Sequence, residues 1–429
     1  MLLYDTLTRQ KVELPPPPGP IRIYVCGPTV YQQIHIGNAR PYVVFLWLKR
    51  WLEEQGYDVT LVENVTDVND KIYNAAVREG IPSAELAERA ARWYVEDTDG
   101  LGLGRPDVEP LATETIDEIV ELIGALVERG LAYESGGDVY FRVAAYPEYG
   151  ALSRADPEDM VAQEEPSGLK EDPRDFALWK ANKPHEDTAW EAPWGRGRPG
   201  WHIECSAMAE KHLGPEFEIH GGGLDLRFPH HENELAQSRG VGHRFAHVWA
   251  HNGMLQLQEE KMSKSVGNIV SLRDVLDAYG PEAILVFFLG AHWRSPIDYS
   301  DAAMEAARAQ ADSLTRVYRV AAQRTDAPPW EAFAEALDDD FNTPAALALL
   351  HEWRAAGQTE LLERGLSIFG LALREAAAAP DEVRELAEAR ARARAQRDFG
   401  EADVLRARIE ESGWEVQDVA EGFRLIPRQ

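Results

Sequence analysis

A strand, a glycine turn, a helix and a second strand near the start of the chain place the strongest constraint on its fold. Residues Ile21–Cys26 alternate apolar and polar side chains as a strand does, and Gly27-Pro28 ends the pattern. The segment Asn38–Glu54 carries apolar side chains along one side of a helix, and Tyr57–Val65 again has the pattern of a strand. Such a βαβ unit predicts a parallel sheet that binds nucleotide at the carboxyl ends of its strands.

Later segments extend this unit into a larger α/β architecture. Residues from about 113 to 195 have the pattern of an insertion, with a helix predicted over Thr113–Arg129 and a hairpin over Gly137–Val143. Strand patterns return near Phe217–His220 and Ala246–Trp249. We therefore predict a Rossmann-like parallel-sheet domain that carries an insertion.

The last third of the chain has a different pattern. From Asp301 onward the periodicity is helical, and at the end Trp414–Asp418 and Gly422–Ile426 have the pattern of a small hairpin. We predict an α-helical bundle followed by a small C-terminal α+β module. The predicted divisions are the first half of the Rossmann-like domain (1–112), the insertion (113–199), the second half (200–250), a loop-bearing region (251–300), the helical bundle (301–378) and the C-terminal module (379–429).

Composition narrows the functional class only in part. The chain has 44 basic and 73 acidic residues and a net charge of −29, which disfavours non-specific binding of nucleic acid but leaves room for a local basic track. Two cysteines cannot form a disulfide framework, which fits a reducing compartment. No apolar run of about 18 residues is present, so we expect a cytoplasmic protein without membrane spans.

The tetrapeptide His35-Ile36-Gly37-Asn38 lies where the first strand leads into the helix. At this place in α/β sheets, backbone amides and the helix dipole attract phosphate. Gly37 permits close approach of a ligand to the backbone, and His35 and Asn38 offer hydrogen bonds to phosphate oxygens. Taken alone, an asparagine that caps the helix beside a core histidine explains the tetrapeptide equally well.

A second candidate for phosphate binding is the run Lys261-Met262-Ser263-Lys264-Ser265. Flexible ammonium groups three residues apart suit a polyphosphate whose charge moves during a reaction. For an isolated pair of lysines, a solvated charged loop is the simpler interpretation. The run therefore indicates phosphate binding only in combination with the tetrapeptide His35-Ile36-Gly37-Asn38.

The only two cysteines each stand near other reactive groups. Cys26 ends the first strand, and Cys205 precedes a cluster in which His230 and Glu234 are four residues apart. Both members of that pair face one way if Pro229 opens a helix. Thiolate, imidazole and carboxylate are ordinary zinc ligands, so the four side chains could close one metal site. Two buried, inert thiols are the other interpretation, since free cysteine is often buried.

The histidine and lysine motifs together resemble the two signature motifs of class I aminoacyl-tRNA synthetases. Longer runs resemble the cysteinyl-tRNA synthetase family in particular, and the similarity spans essentially the whole chain. The runs that carry it are Tyr24–Tyr31, Asn64–Lys71, Gly200–Met208, Ile219–Gln237 and Asp338–Pro344. The resemblance implies an enzyme that activates L-cysteine with ATP to cysteinyl-adenylate and transfers it to the 3′ end of tRNA(Cys).

The same resemblance implies the ligands and the site residues. The family binds one zinc ion per chain, whose soft character selects a substrate thiolate over the hydroxyl of serine, and Mg²⁺ accompanies ATP. The zinc ligands match Cys26, Cys205, His230 and Glu234. The catalytic positions match His35, Asn38, Lys261 and Lys264. The ATP-binding positions match Thr29, His35, Gly37, Asn38, Gly222, Asp225 and Lys264. The cysteine-binding positions match Gly27, Thr29, Thr66, Trp201 and His220.

The chain departs from the family pattern at Asn38, at Gln32, in a shortened helical region after about residue 345, and at the C-terminus. Asn38 stands where histidine is more usual, so this position keeps a hydrogen-bond donor and loses the option of positive charge. The C-terminal run Glu421–Leu425 replaces a more usual Gly-Thr-x-Trp. Arg390, Arg394 and Arg397 share one face of a predicted helix. We expect the tRNA track along the arginine-bearing helices and the loops near Lys261–Asn268. A solvated, salt-bridged face is the alternative for these arginines.

Two other functions fit part of the pattern. The cysteine ligase of mycothiol synthesis shares the zinc and ATP motifs but joins cysteine to an aminosugar, and the run Asn233–Gln237 and the C-terminal extension oppose it. A non-catalytic RNA-binding relative is opposed by the complete motif set. The family expectation is a monomer whose partners are tRNA(Cys), ATP and L-cysteine.

Overall fold

The computed structural model describes residues 1–155, 168–257, 260–261, 270–317, 327–375, 379–419 and 422–427. Contacts along the chain separate it into two compact units. The first unit contains Met1–Gln310, Glu331–Ala348 and Ile368–Gly370. The second unit contains Ala311–Trp330, Leu349–Ser367 and Leu371–Gln429. The smaller divisions made from the sequence remain predictions.

Strands and helices alternate in the first two thirds of the chain. The strands of the described residues are β1 (Leu2–Asp5), β2 (Gln10–Glu13), β3 (Pro20–Val25), β4 (Asp58–Glu63), β5 (Ala132–Ser135), β6 (Asp138–Phe141), β7 (Phe176–Ala181), β8 (Gly197–Pro199), β9 (Glu216–Gly223), β10 (Phe245–Asn252), β11 (Leu255–Leu257), β12 (Glu260–Lys261), β13 (Ile297–Tyr299), β14 (Arg316–Val317), β15 (Arg374–Glu375), β16 (Trp414–Val419) and β17 (Gly422–Pro427). The helices are α1 (Ile36–Glu54), α2 (Asp70–Glu79), α3 (Ser83–Asp99), α4 (Ile116–Glu128), α5 (Trp201–Leu213), α6 (His230–Gly240), α7 (Leu272–Tyr279), α8 (Pro281–Leu289), α9 (Asp301–Thr315), α10 (Trp330–Asp338), α11 (Thr343–Ala356), α12 (Thr359–Ile368), α13 (Asp381–Ala395) and α14 (Phe399–Glu411). Among the described helices, none combines the length and the apolar character that a membrane span needs.

The core of the first unit is a four-stranded parallel sheet with the strand order β10-β9-β3-β4. Helix α1 connects β3 to β4, so the predicted βαβ unit and the parallel sheet are confirmed. The helix begins at Ile36, two residues before the predicted start, and Gly56 turns the chain toward β4 with a φ of +90°. The carboxyl ends of all four strands therefore meet at one edge, where such sheets bind ligands.

Helix α1 is held in place by two buried tryptophans. Trp47 and Trp51 are both fully buried. The Trp47 indole N–H donates to the carbonyl of Phe369 at 3.0 Å, and the Trp51 indole N–H donates to Asp338 Oδ1 at 3.1 Å. A buried indole N–H usually finds a hydrogen-bond partner, and these two bonds fix the orientation of both rings. They hold the second half of α1 against the segments that contain Asp338 and Phe369.

The insertion forms an antiparallel sheet with the order β5-β6-β7-β8, preceded by α4. A hairpin is present, but it consists of β5 and β6, and the predicted range Gly137–Val143 contains only its second strand. The predicted helix is present over Ile116–Glu128. Ile203 of α5 and Ala236 of α6 lie in the same buried cluster as Phe141 and Trp179 of the insertion. The insertion therefore supports the two helices that follow it in the chain.

The C-terminal part of the second unit contains α13, α14 and the hairpin β16–β17. The hairpin is antiparallel and confirms the prediction made from its alternating pattern. Its buried apolar residues join the two helices in one cluster. The cluster contains Val383, Ala387, Ile409, Trp414 and Val416.

Arg390 lies inside this C-terminal module. This residue is only 3% exposed. Its two terminal guanidinium nitrogens donate to Asp418 Oδ1 and Oδ2 at 2.7 and 3.0 Å. Arg394 also approaches Asp418, at 3.3 Å, and Arg397 lies beyond the end of α13 with a φ of +62°. The prediction that the three arginines share one helical face is wrong, because Arg397 lies outside α13. Arg390 and Arg394 both pair with Asp418, as the alternative of a salt-bridged face predicts. The hairpin covers Arg390, and helical periodicity could not reveal that packing.

Candidate active site and metal centre

A cleft of about 480 Å³ opens at the carboxyl edge of the central sheet. Its wall contains many of the residues predicted from the sequence, and these are Cys26, Gly27, Thr29, His35, Gly37, Asn38, Trp201 and Asp225. The wall also contains Tyr31, Glu63, Lys71 and Asn252, which the sequence did not single out. The topology explains this meeting, because the loops after parallel strands all leave the same edge.

The first signature motif forms the turn between β3 and α1. His35 has an extended backbone with φ −90° and ψ 158° and occupies the capping position, so Asn38 does not cap the helix. The backbone N–H of Asn38 donates to the carbonyl of His35 at 2.8 Å. A Cβ atom at Gly37 would lie 2.9 Å from His35 Nδ1, so only glycine leaves the imidazole its place over the first turn.

Backbone hydrogen bonds join this turn to the chain that follows the second motif. The Ile36 N–H donates to the carbonyl of Val270 at 3.1 Å, and the Leu272 N–H donates to the carbonyl of Ile34 at 3.0 Å. The start of α1 and the start of α7 are therefore adjacent. This contact between distant segments was not predicted.

The second signature motif is only partly within the described residues. The backbone of Lys261 lies on β12 and pairs with Gln256 of β11. Leu255, the first residue of β11, lines the cleft. Lys264 belongs to residues 262–269, which lie outside the described residues, so its predicted role remains a prediction.

The four predicted metal ligands converge beside the cleft. The ligand atoms of Cys26, Cys205, His230 and Glu234 all lie within 4.8 Å of one another, and all four residues are buried. Helix α6 begins at His230 directly after Pro229, as predicted, which places His230 and Glu234 on one face. The Cys26 thiol donates to Glu234 Oε1 at 3.4 Å, and His230 Nε2 lies 3.1 Å from the same oxygen.

Burial makes ionisation of this cluster difficult without a cation. The pKa of the Cys26 thiol is raised well above its ordinary value, first by burial and then by Cys205 and Glu234. Burial also raises the pKa of Cys205 and lowers the pKa of the His230 imidazole well below its ordinary value. A metal ion reverses this balance, because it favours thiolate and neutral imidazole at the same time.

In a second group of four side chains, the ligand atoms also lie within 4.8 Å of one another. It contains Cys26, His220, His231 and Glu234. His220 is fully buried behind the cleft wall, and its Nε2 lies 2.8 Å from Glu234 Oε2. His231 Nδ1 lies 2.8 Å from His251 Nε2. This second group thus shares Cys26 and Glu234 with the first.

His202 is a supporting residue that the sequence reasoning missed. Nδ1 of His202 lies 2.8 Å from Nδ1 of His230. When His230 is the donor of this hydrogen bond, the lone pair on Nε2 of His230 is free to face the cluster. The Trp201 ring stacks on His230 with centroids 4.0 Å apart. His202 precedes Cys205 by three residues on α5, so helical spacing was the signal that could have found it.

Two predicted residues, Thr66 and Gly222, are buried behind the cleft wall. Thr66 pairs in a parallel bridge with Thr29, which lines the cleft. A Cβ atom at Gly222 would lie 3.0 Å from the ring of His231, so this glycine makes room for that histidine. Gly223 is the glycine of this run that lines the cleft.

Comparisons with known proteins agree with this arrangement. The family model described as the class I (C) tRNA synthetase catalytic domain matches residues 15–309, and the DALR domain model matches residues 332–372. The fold is similar to Mycobacterium tuberculosis methionyl-tRNA synthetase in complex with methionyl-adenylate, with a TM-score of 0.61, 18% identity and coverage of 82% of this chain and 88% of that chain. An Agrobacterium radiobacter LeuRS in a ternary complex with tRNA and LeuAMS has a TM-score of 0.57 and 11% identity, with coverage of 82% of this chain and 84% of that chain. The fold and the site define a class I aminoacyl-tRNA synthetase.

Relatives of higher identity identify the family within this class. The cysteine–tRNA ligase of Cupriavidus taiwanensis is 44% identical over 97% of this chain and 96% of its own length. The cysteine–tRNA ligase of Rubrobacter xylanophilus is 44% identical over 94% of this chain and 95% of its own length. That of Caldicellulosiruptor saccharolyticus is 43% identical over 99% of both chains. The chain belongs to the cysteine–tRNA ligase family.

Proposed function

We propose that the chain activates L-cysteine with ATP to cysteinyl-adenylate and transfers the cysteinyl group to the 3′ end of tRNA(Cys). The observation that carries this proposal is the meeting of two buried thiols, an imidazole and a carboxylate within 4.8 Å beside the cleft that contains the first signature motif. Family membership over nearly the whole chain supports the same reaction.

The buried cluster fits Zn²⁺ as its resident ion. Cys26, Cys205, His230 and Glu234 would hold it, and this set of two thiolates, one imidazole and one carboxylate suits zinc better than the set with two imidazoles and one thiolate. His230 Nε2 lies 3.1 Å from Glu234 Oε1 but makes no hydrogen bond to any described residue, whereas its Nδ1 contacts His202. When bound, zinc would supply a soft Lewis acid that accepts a substrate thiolate as an additional ligand.

Selection of cysteine over serine then depends on ligand chemistry. A hydroxyl is harder and far less acidic than a thiol, so the discrimination can exceed the roughly 10–200-fold that a pocket obtains from one methylene. Trp201, stacked on His230, forms the adjoining part of the cleft wall. Gly27, Thr29, Thr66 and His220 would complete the cysteine site, as the family pattern implies.

Adenylate formation needs positioning and charge rather than a protein nucleophile. The cysteine carboxylate attacks the α-phosphorus of ATP in line, and pyrophosphate leaves from the opposite side. His35, Gly37 and Asn38 would hold the triphosphate at the start of α1, where the helix dipole favours anions. Lys261 and Lys264 would balance the charge that moves onto pyrophosphate, and Mg²⁺ would accompany ATP.

The nucleoside part of ATP would lie toward β9 and β10. Asp225 lines this side of the cleft with Gly223, and its carboxylate would accept hydrogen bonds from ribose hydroxyls. Gly222 would contribute through the backbone of the same run. The 3′-adenosine hydroxyl of tRNA then attacks the adenylate carbonyl, and AMP leaves.

We place the tRNA contact partly on the C-terminal module. Because Arg390 is buried, the exposed side chains of Arg392 and Arg394 are the better candidates on α13. Phosphate contacts of this kind make binding weaker as the salt concentration rises. We further propose that the chain is a monomer and acts in the cytoplasm.

The test uses the purified full-length chain. We expect cysteine-dependent ATP–pyrophosphate exchange, no comparable exchange with serine, and cysteinylation of a tRNA transcript with a GCA anticodon. The same reaction is run with glucosaminyl-inositol as acceptor. Ligation to the aminosugar without tRNA charging would show that the acceptor is wrong, and absence of exchange would show that the chain is not this enzyme.

A further inference from the structure

The pairing of β3 and β4 is interrupted beside the first metal ligand. Regular pairing ends at Val25 opposite Glu63, and it resumes as the bridge between Thr29 and Thr66. In between, the Gly27 N–H has a side chain as its acceptor instead of the opposite backbone. A Cβ atom at Gly27 would lie 1.8 Å from the carbonyl oxygen of residue 64, so the two segments are in close contact here.

The side chain that occupies this interruption is Asn64, which is fully buried. Its Oδ1 accepts the Gly27 N–H at 3.0 Å, and its Nδ2 donates to Thr66 Oγ1 at 3.2 Å. The same Oδ1 lies 3.7 Å from Sγ of Cys205, whose thiol donates to it. These contacts fix the orientation of the amide, because a flipped amide would place an NH₂ group against the Gly27 N–H.

One amide therefore contacts both segments that supply a thiol. Gly27 directly follows Cys26, and Cys205 lies on α5, 179 residues away in the chain. Without a restraint, ordering two such distant segments costs conformational entropy when the metal binds. Metal binding removes the Cys205 proton and with it this hydrogen bond, so the restraint on Cys205 acts before the metal binds, whereas the Gly27 bond persists.

We propose that Asn64 is a positioning residue that sets the distance between Cys26 and Cys205 before the metal binds. This inference rests on the proposed zinc-dependent function. Asn64 is not itself a ligand. Its amide holds the turn after β3 and the Cys205 side chain in one arrangement, so both sulfur atoms are presented to the same ion.

The experiment measures zinc affinity by competition with a chromophoric chelator on the intact chain. Asn64→Ala is compared with wild type and with Asn74→Ala, a change of the same type at an exposed position of α2. We expect the zinc Kd of Asn64→Ala to rise by about 10–100-fold, as for other residues that orient metal ligands. The KM for cysteine should rise with it, while the KM for ATP stays within about twofold.

A second variant tests the orientation of the amide if Asn64→Ala does not fold. Thr66→Val removes the acceptor of Nδ2, together with the hydroxyl that hydrogen-bonds Glu204, and we expect a smaller but measurable rise in the zinc Kd. Unchanged zinc affinity in folded Asn64→Ala, or equal increases in the KM for cysteine and for ATP, would overturn the inference. Wild-type protein that binds no zinc would instead contradict the proposed function itself.

Discussion

Glu63 makes the stability of the first unit depend on pH. It is the last residue of β4, lines the cleft and is only 3% exposed. Its Oε1 accepts the hydroxyl of Tyr94 at 2.7 Å, and its Oε2 has no hydrogen-bond partner among the described residues. Burial is the main reason that the pKa of this carboxyl is raised from 4.5 to about 8.

The sign of the effect follows from where the proton is held. Below pH 4.5 both the folded and the unfolded chain hold the proton, so this carboxyl does not make the free energy of unfolding depend on pH there. As the pH rises toward 8, the unfolded chain releases this proton while the folded chain keeps it, and the stability falls. Between pH 4.5 and pH 7 the loss amounts to about 3 kcal/mol, at about 1.4 kcal/mol for each pH unit.

The assay compares wild type with Glu63→Gln, which keeps the shape of the side chain and cannot ionise. We expect the melting temperature of the variant, relative to wild type, to rise steadily from pH 4.5 to pH 8 and then to level off. Glu128→Gln, at an exposed position of α4, is the control and should show no such trend. Comparison at each pH cancels the contribution of all other groups. Parallel profiles for Glu63→Gln and wild type would refute the reasoning.

Three further predictions concern the metal cluster and the C-terminal module. Cys205→Ser replaces a buried soft ligand by a hard one, and we expect it to lose zinc on dialysis, as measured by atomic emission; full occupancy would contradict the assigned ligand set. His202→Phe removes the partner of His230 Nδ1 and should weaken zinc binding by about 10–100-fold in a chelator competition, whereas unchanged affinity would show that the contact is incidental. Arg390→Met leaves Asp418, which is 44% exposed, able to regain water, so we expect a loss of about 1–3 kcal/mol in the stability of the module by hydrogen exchange. The KM for tRNA should stay within about twofold. A large rise in this KM with unchanged stability would show that Arg390 contacts tRNA.

The sequence was sufficient where the signal is local. Strand alternation and helical periodicity predicted β3, α1 and β4 within a few residues, because both periods are properties of neighbouring positions. The C-terminal hairpin was predicted for the same reason. The spacing of His230 and Glu234 predicted one face of α6, since residues four apart lie above one another on a helix.

The sequence was insufficient where two distant segments share one side chain. Asn64 contacts Gly27 and Cys205 only after β3, β4 and α5 have packed, and no spacing in the chain indicates those contacts. The burial of Arg390 likewise depends on Asp418 of the hairpin. Exposure of a polar side chain is decided by the element that covers it, and that element is usually remote in sequence.

The division between the two kinds of information is clearest at the metal centre. Periodicity along the chain indicated the parallel α/β fold, and the resemblance of the motifs to a known family indicated the family and the four candidate ligands. Only the tertiary structure decided that His202 orients His230, that Gly223 rather than Gly222 lines the cleft and that Asn64 joins the thiol segments. These are contacts between side chains from different strands and helices, and their distances exist only once the core has packed.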